Sequence, residues 1–183
     1  MKGRLIATLA ALAALTAGCN NVPVVDLQPA KGDTLQESII QANRYIAQGE
    51  ENQIDAYAKR RNWQMTRLAS GVRVMATSTP KQGAQKIDYE DTVVLSYRLE
   101  AINGNVVYSH VDDTVTVGHL QPTRGLDAAL RTLHDGDRAK VIVPSAEGYG
   151  VVGDGNAVRT RMILVYDIEV RKLKSNKIQT IKK

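Results

Sequence analysis

The chain has 183 residues, 43% of them hydrophobic, with one cysteine and no phenylalanine. It carries 24 Lys and Arg against 19 Asp and Glu, a formal net charge of +5 at pH 7. So mild an excess, without a clustered basic face, argues against nucleic acid as a partner. The length predicts one compact domain with a modest extra segment, and a single cysteine excludes an intramolecular disulfide.

The N-terminus has the layout of a secretory signal. Lys2 and Arg4 precede an apolar run over residues 5–15, and small residues lead into Cys19. The run is shorter than the roughly 20 residues needed to span a bilayer. Leu-Thr-Ala-Gly-Cys resembles the bacterial lipobox, whose cysteine is lipidated after cleavage. We therefore predict a signal peptide over residues 1–18, lipidation at Cys19 and membrane attachment in the bacterial cell envelope, on the periplasmic side of the outer membrane. The alternatives are an uncleaved anchor and an ordinary signal peptide with a chance cysteine.

The segment after the cysteine is predicted to be a tether followed by helices. Residues 19–33 contain proline and lack helical or strand periodicity, as is typical of a tether. Thr34 and Glu37 form a capping box, which is a helix-start signal. A first helix is predicted to end at Gly49, and Asn52 is predicted to cap a second. The apolar positions of the first helix recur at helical spacing: Leu35, Ile39, Ala42 and Ile46.

These helices make up a predicted N-terminal segment over residues 34–66. Their apolar faces predict that they pack on their own or pair between two protomers in a homodimer, so that the main domain folds without them. A basic tail over residues 174–183 is predicted to be frayed and solvated, with attraction to anionic lipid headgroups as the alternative.

The main domain shows strand periodicity from Gly71 onward. Asn103-Gly104 marks a turn between two of its strands. Strands are predicted around residues 72–74, 93–100, 115–117, 139–143 and 162–170. One stripe at helical spacing interrupts them: Leu126, Ala129, Leu130 and Leu133. The pattern predicts an α+β fold in which one short helix covers the apolar face of an antiparallel sheet.

Several motifs for cofactor or metal chemistry fail on their context. Residues 148–153 match the G-x-G-x-x-G nucleotide motif, but turn-forming residues follow where that motif requires a helix. His110, His119 and His134 lack the spacing of metal ligands. No G-x-S-x-G elbow is present. We therefore predict no metal and no cofactor.

An ordered set of short motifs runs through residues 69–173. Among its members are Gly71-Val72-Arg73-Val74, Val94-Leu95-Ser96-Tyr97, Gly125-Leu126, Gly148-Tyr149-Gly150 and Leu164-Val165-Tyr166-Asp167. In this order and spacing they resemble the FKBP-type peptidyl-prolyl cis-trans isomerases. The preceding helices resemble the N-terminal segment of FKBP-like lipoproteins from gliding-type bacteria. The resemblance implies an FKBP-like antiparallel sheet wrapped around one short helix, and isomerisation of X-Pro bonds.

The resemblance also implies a shallow apolar pocket for a prolyl side chain. It implies catalytic roles for Tyr97, for the Tyr149 hydroxyl and for the backbone N–H of Thr123. Leu126 would form the pocket floor. The substrate-binding positions carried over from the family are Val107, Tyr108, Val115, Pro122, Leu126, Val158 and Tyr166.

Three of these positions depart from the family pattern. Where well-studied relatives place Phe then Asp, this chain has Val107 then Tyr108, and another family Phe is Val115. Two aromatic walls and one carboxylate are therefore expected to be missing, which favours low activity. Two interpretations stay open. One is an isomerase of proline-containing envelope proteins; the other is a catalytically weak or inactive module of the same fold that binds a partner or acts as a chaperone.

Overall fold

The structure is a computed structural model, of which residues 35–173 are described, without the side chains of His110 and Val111. The predicted signal peptide, the tether with Cys19, the capping residue Thr34 and the basic tail lie outside these residues. The chain divides between Ile39 and Ile40 into two compact units, and the packed domain belongs to the second.

A single long helix, α1 (Leu35–Arg60), opens the described chain. Two separate helices over this region were predicted, and that prediction is wrong. Gly49 and Asn52 lie inside α1. A side chain at position 49 would point into open space, so no close contact requires glycine there. An isolated glycine weakens a helix by about 1 kcal/mol, which the packing of the following turns offsets. None of the helices in residues 35–173 is long and apolar enough to cross a membrane.

Six strands form one antiparallel sheet in the order β1-β2-β5-β6-β3-β4. The strands are β1 (Thr66–Arg67), β2 (Arg73–Ala76), β3 (Thr92–Ala101), β4 (Val106–Thr116), β5 (Arg138–Val143) and β6 (Leu164–Lys172). A second helix, α2 (Arg124–Leu130), follows β4, and a 3-10 turn (Ser145–Glu147) follows β5. β4 is much longer than the strand predicted around residues 115–117. The prediction missed the first half of β4 because hydrophobic and polar residues alternate less regularly there.

The sheet is covered on both faces. Val141 and Tyr166 point to the side covered by α2, which we call the front face, while Ile142 and Val165 point to the opposite rear face. On the front face, Leu126, Ala129 and Leu130 of α2 complete the main core. The predicted α+β fold, an antiparallel sheet with one short helix against it, is confirmed.

The rear face is covered by α1. Ile54 and Tyr57 are 0% and 2% exposed and pack with Ile142, Ile163 and Val165. The prediction that the N-terminal helices pack on their own is therefore wrong for this half of α1. Sequence periodicity shows that a helix has an apolar stripe, but it does not show which surface the stripe covers.

Candidate functional site

Two tyrosines on neighbouring strands form the centre of the site. Tyr97 on β3 and Tyr166 on β6 both point to the front face, and their ring centroids lie 5.6 Å apart in an edge-to-face arrangement. The register pairs Leu99 with Tyr166, so the two rings are diagonal neighbours on one face of the sheet. Tyr149, in the loop after β5, packs against the same cluster and is half-buried.

The Tyr97 hydroxyl has a carboxylate partner that the sequence did not reveal. It donates a hydrogen bond of 3.1 Å to Asp113 Oδ2 on β4. Burial and the Asp113 carboxylate raise the pKa of Tyr97, so its hydroxyl stays neutral and protonated. The site therefore contains a carboxylate, although not at the position where it was expected from the family. Position 108 has none, but Asp113 supplies one. The register of β3 and β4 pairs Asp113 with Leu95, which places Asp113 near Tyr97. Strand register cannot be predicted from the sequence of one strand alone.

The Tyr166 hydroxyl is buried without a hydrogen-bond partner in the described part of the chain. The residue is 1% exposed. Burial raises its pKa, as do the neighbouring Tyr149 and Tyr97. The Thr123 side chain lowers this pKa but does not reach hydrogen-bond geometry with the hydroxyl. An unpaired buried hydroxyl is costly, so it marks a place where a ligand could supply the missing acceptor.

The loop that carries Tyr149 is tied to α1. The buried Glu50 carboxylate accepts hydrogen bonds from the backbone N–H of Ser145 at 2.9 Å and from its hydroxyl at 2.5 Å. The Ser145 carbonyl in turn accepts from the N–H groups of Gly148 and Gly150, at 3.1 and 2.9 Å. These bonds fix the turn on either side of Tyr149. The Tyr149 hydroxyl has no hydrogen bond to a described residue, and burial raises its pKa.

Tyr108 closes one side of the site by bonding to the loop. Its hydroxyl donates to Asp154 Oδ2 and accepts from Asn156 Nδ2 at 3.3 Å. Burial opposes the ionisation of Asp154, but bonds from Tyr108 and from the N–H groups of Asn156 and Val158 lower the pKa of this carboxyl. Where relatives carry a carboxylate, this chain therefore carries a hydroxyl that holds the loop against β4.

The N-terminus of α2 supplies the floor of the site. Thr123 caps the helix, since its Oγ1 accepts from the N–H of Leu126 at 3.2 Å. The backbone N–H of Thr123 donates to no described residue, as the predicted role of a substrate-carbonyl donor requires. Leu126 is 0% exposed in the core beneath the tyrosines. Pro122 is half-buried beside Thr123.

The three valines of the predicted pocket do not lie at equal depth. Val115 and Val158 are buried members of the main core, at 7% and 3% exposure, whereas Val107 is half-buried against it. The fold thus gathers the predicted residues at one end of the front face, with Val107 toward solvent. Their roles in binding and catalysis stay predictions.

The rejected motifs can be placed in the structure. Residues 148–153 form turns after the 3-10 helix and do not begin an α-helix, as the turn-forming residues predicted. His119 lies 3.3 Å from Glu90 and His134 lies 3.5 Å from Asp137, both outside the site. Within residues 35–173 no group of three or more His, Cys, Asp or Glu side chains could hold a metal ion.

Comparisons with known proteins agree with this geometry. The family described as FKBP-type peptidyl-prolyl cis-trans isomerase matches residues 83–171. The chain is 30% identical over 116 residues to FK506-binding protein 1 of Kluyveromyces lactis, which covers 61% of this chain and 93% of that protein. It is also 30% identical over 60 residues to an FK506-binding protein of Neisseria meningitidis serogroup B, covering 33% of this chain and 55% of the relative.

Solved structures show the same fold. A peptidyl-prolyl cis-trans isomerase of Pseudomonas syringae aligns with a TM-score of 0.54 at 21% identity, covering 76% of this chain and 96% of that one. FkpA of Escherichia coli aligns with a TM-score of 0.57 at 17% identity, covering 74% and 64%. The fold and site define a prolyl isomerase domain. The chain belongs to the FKBP-type peptidyl-prolyl cis-trans isomerase family, as the sequence motifs predicted.

Proposed function

We propose that this protein isomerises X-Pro bonds in proteins of the bacterial cell envelope, where a lipid on Cys19 anchors it. One observation carries the proposal: the hydroxyls of Tyr149 and Tyr166 are held neutral in an apolar site and have no hydrogen-bond partner among the described residues. Such hydroxyls can donate hydrogen bonds to a ligand, and rotation about a peptide bond needs neither a nucleophile nor proton transfer.

This arrangement suits rotation about an amide bond. The barrier to rotation is about 18 to 20 kcal/mol, because amide resonance is lost in the twisted state. The apolar lining proposed for the site disfavours the more polar planar amide. In this proposal the Thr123 N–H and the Tyr149 hydroxyl hold the substrate carbonyl while the bond twists. The catalytic contribution comes from preorganised contacts that favour the twisted geometry.

A protease-coupled assay on proline peptides tests this proposal, with the residue before proline varied. We expect acceleration over the uncatalysed rate, and a several-fold lower kcat/KM for Tyr149→Phe, because one hydrogen bond of about 1 kcal/mol is removed. His119→Ala and His134→Ala serve as matched controls that leave the rate unchanged. A wild-type protein that accelerates no X-Pro peptide would overturn the enzymatic proposal.

The alternative function is a binding or chaperone module with little or no catalysis. The observation that favours it is the valine at positions 107 and 115 in a family site that carries aromatic walls. Val107→Phe discriminates between the two, because Val107 is half-buried with room toward solvent; we expect it to raise kcat/KM. Val115→Phe is a poor test, since Val115 lies in the packed core and overpacking costs about 1 to 3 kcal/mol. An unchanged, undetectable rate in Val107→Phe with retained peptide binding would favour the module.

The lipid anchor is tested separately from the chemistry. In the proposed state Cys19 is the first residue of the mature chain and carries acyl groups. Membrane fractionation and mass measurement of the mature N-terminus should show this, and Cys19→Ser should give an uncleaved or soluble unlipidated protein. An unmodified mature N-terminus at another residue would contradict the anchor.

Pairing of two protomers through α1 is a further part of the proposal. Apolar side chains on the first half of the helix are exposed: Leu35 80%, Ile39 52%, Ile40 42% and Tyr45 83%. Burying these apolar side chains against a second copy would remove them from water. Light scattering of the purified protein should give a dimer that Ile39→Glu converts to monomers. A monomeric wild type at micromolar concentration would contradict it.

A further inference from the structure

A cleft opens beside the front-face cluster of Tyr97, Tyr149 and Tyr166, which we call the tyrosine site. It has a volume of about 450 Å³ and lies where the turn between β3 and β4 faces the chain that leads into β6. Val107, a wall of the tyrosine site, also lines this cleft, and Ala157 next to the buried Val158 lines it from the other side. A chain that occupies the tyrosine site therefore meets this cleft as it leaves.

The cleft combines an apolar lining with a positive rim. Val106, Met162 and Ile163 supply apolar surface, and Arg159 and Arg161 supply two exposed guanidinium groups. Neither arginine forms an ion pair with a described residue, and none of the lining residues is a carboxylate. The rim thus presents two guanidinium groups without an ion-pair partner in residues 35–173. Of the two arginines, Arg161 also borders a separate cleft whose lining includes Glu50, Glu51 and Glu147.

The carboxylate in the same loop, that of Asp154, already accepts hydrogen bonds from other groups. Asp154 accepts from the Tyr108 hydroxyl through one oxygen and from the N–H groups of Asn156 and Val158 through the other, both at 2.8 Å. These four groups form one closed set of bonds. Asp154 therefore cannot turn toward Arg159 without leaving three donors unpaired.

The backbone under the two arginines is fixed relative to the tyrosine site. Arg161 has a left-handed φ of 54°, which is uncommon for a residue other than glycine. Its N–H donates to the Gly150 carbonyl at 2.7 Å, directly after Tyr149. Arg159 directly follows Val158. The hydrogen bond to Gly150 holds the left-handed backbone of Arg161 against the turn that carries Tyr149. The two arginines are therefore fixed relative to the tyrosine site, one through Gly150 and the other through Val158.

We propose that this cleft binds the segment that flanks the proline in the substrate, and that it selects acidic side chains there. The inference rests on the proposed function, since it takes the proline to occupy the tyrosine site. An extended chain advances by about 3.3 to 3.6 Å per residue, so the selected position lies within about three residues of the proline. The apolar lining accepts the neighbouring side chains, and the two guanidiniums attract a carboxylate.

The experiment compares peptides that differ in one residue. Each carries a fixed Ala-Pro bond and a single Glu, Gln or Lys at one of the three positions on either side. Isomerisation is followed by NMR exchange, which needs no protease with its own charge preference, and binding is followed by chemical shift titration. For the wild type we expect kcat/KM to be about two- to ten-fold higher for Glu than for Gln at one or two positions, with Lys lowest and the preference reduced in about 0.5 M salt.

Variants then assign the preference to the cleft. Arg159→Gln/Arg161→Gln should reduce the Glu preference, the ratio of kcat/KM for the Glu and Gln peptides, to near unity. Arg159→Glu/Arg161→Glu should reverse the preference toward Lys. The matched control is Arg60→Gln/Arg171→Gln, which removes the same charge from exposed positions outside the cleft and should keep the wild-type preference.

The outcomes separate this inference from the proposed function. A wild type that isomerises the Gln peptides but shows no Glu preference at any position overturns the cleft and leaves the isomerase standing. A Glu preference that survives in both cleft double variants, or that falls equally in the control, also overturns it. If no peptide is bound or isomerised, the proposed function fails and this inference fails with it.

Discussion

The two faces of the sheet differ in how their buried polar groups are satisfied. On the rear side, the nearly buried Arg73 guanidinium donates to Glu51 at 2.7 Å, to Asp55 at 2.8 Å and to the Gly71 carbonyl at 2.6 Å. Glu50 is likewise satisfied by Ser145. On the front face, the Tyr166 hydroxyl has no described partner although it is just as deeply buried.

This difference separates structural from functional polar groups. A buried group that is fully paired specifies one arrangement of the chain, because any other arrangement leaves it unsatisfied. A buried group without a partner costs stability and is retained where another molecule completes it. Removing rear-face groups should therefore lower stability first, whereas removing the unpaired Tyr166 hydroxyl should lower activity at little cost in stability.

The largest expected loss of stability comes from the apolar contact under α1. Ile54→Ala removes a side chain that is 0% exposed against the rear face, and we expect the free energy of unfolding to fall by about 2 to 5 kcal/mol. Ile40→Ala on the same helix removes the same atoms from a position that is 42% exposed, and should stay within about 0.5 kcal/mol. Chemical denaturation of both variants measures this. Equal small effects would mean that α1 does not form part of the core.

The next effect concerns the link between α1 and the Tyr149 turn. Glu50→Gln replaces a carboxylate that accepts two bonds from Ser145 with an amide that can accept through its oxygen alone. Hydrogen bonds to charged groups contribute about 1.5 to 3 kcal/mol, so we expect a stability loss of that order. Because the turn carries Tyr149, kcat/KM should also fall at temperatures where the protein is fully folded.

The activity readout distinguishes a positioning role for Glu50 from a purely structural one. Ile54→Ala serves as the control, since it lowers stability on the same face without touching the turn. If kcat/KM at full folding is unchanged in Glu50→Gln, the residue only stabilises the fold. If neither stability nor kcat/KM changes, the hydrogen bonds between Glu50 and Ser145 contribute measurably to neither stability nor catalysis.

The third prediction compares two hydroxyls within the site. Tyr166→Phe removes the unpaired hydroxyl, so stability should stay constant or rise by up to about 1 kcal/mol, while kcat/KM falls about two- to ten-fold. Tyr97→Phe removes the donor to Asp113, so stability should fall by about 0.5 to 1.5 kcal/mol. Denaturation curves and peptide kinetics on the two variants give the comparison. A clear stability loss in Tyr166→Phe would show an internal partner, and an unchanged kcat/KM would show that no ligand uses the hydroxyl.

Much of the fold follows from local sequence patterns. Alternation in β3, β5 and β6 and the stripe at Leu126 predicted the strands and α2 to within a few residues. The helical region was predicted less well, because Gly49 and Asn52 are typical helix-end residues that tertiary packing on Ile54 and Tyr57 overrides. Which face of the sheet a helix covers depends on long-range contacts, which no local pattern contains.

The site was predictable through family motifs and not through chemistry alone. Resemblance to the family brought Tyr97, Tyr149 and Tyr166 to attention, and the fold places them together. Asp113 was missed, because its contact with Tyr97 depends on strand register. Glu50 was also missed, since 95 residues separate it from Ser145 and its helical position looks like an ordinary surface acid.

The smallest expected effect is that of pH on the chemical step. Burial raises the pKa values of Tyr97, Tyr149 and Tyr166 above the ordinary tyrosine value of 10.0, so all three hydroxyls remain neutral donors below that pH. We therefore expect kcat/KM, measured by NMR exchange, to be flat from about pH 6 to about pH 9.5, with no inflection near the histidine pKa. Above pH 10 the tyrosines ionise more readily in the unfolded chain than in the folded one, so stability should fall as pH rises. Tyr166→Phe should lose less stability over this alkaline range than the wild type. A bell-shaped rate profile would mean that a titrating group takes part in the reaction, and would contradict the proposed mechanism.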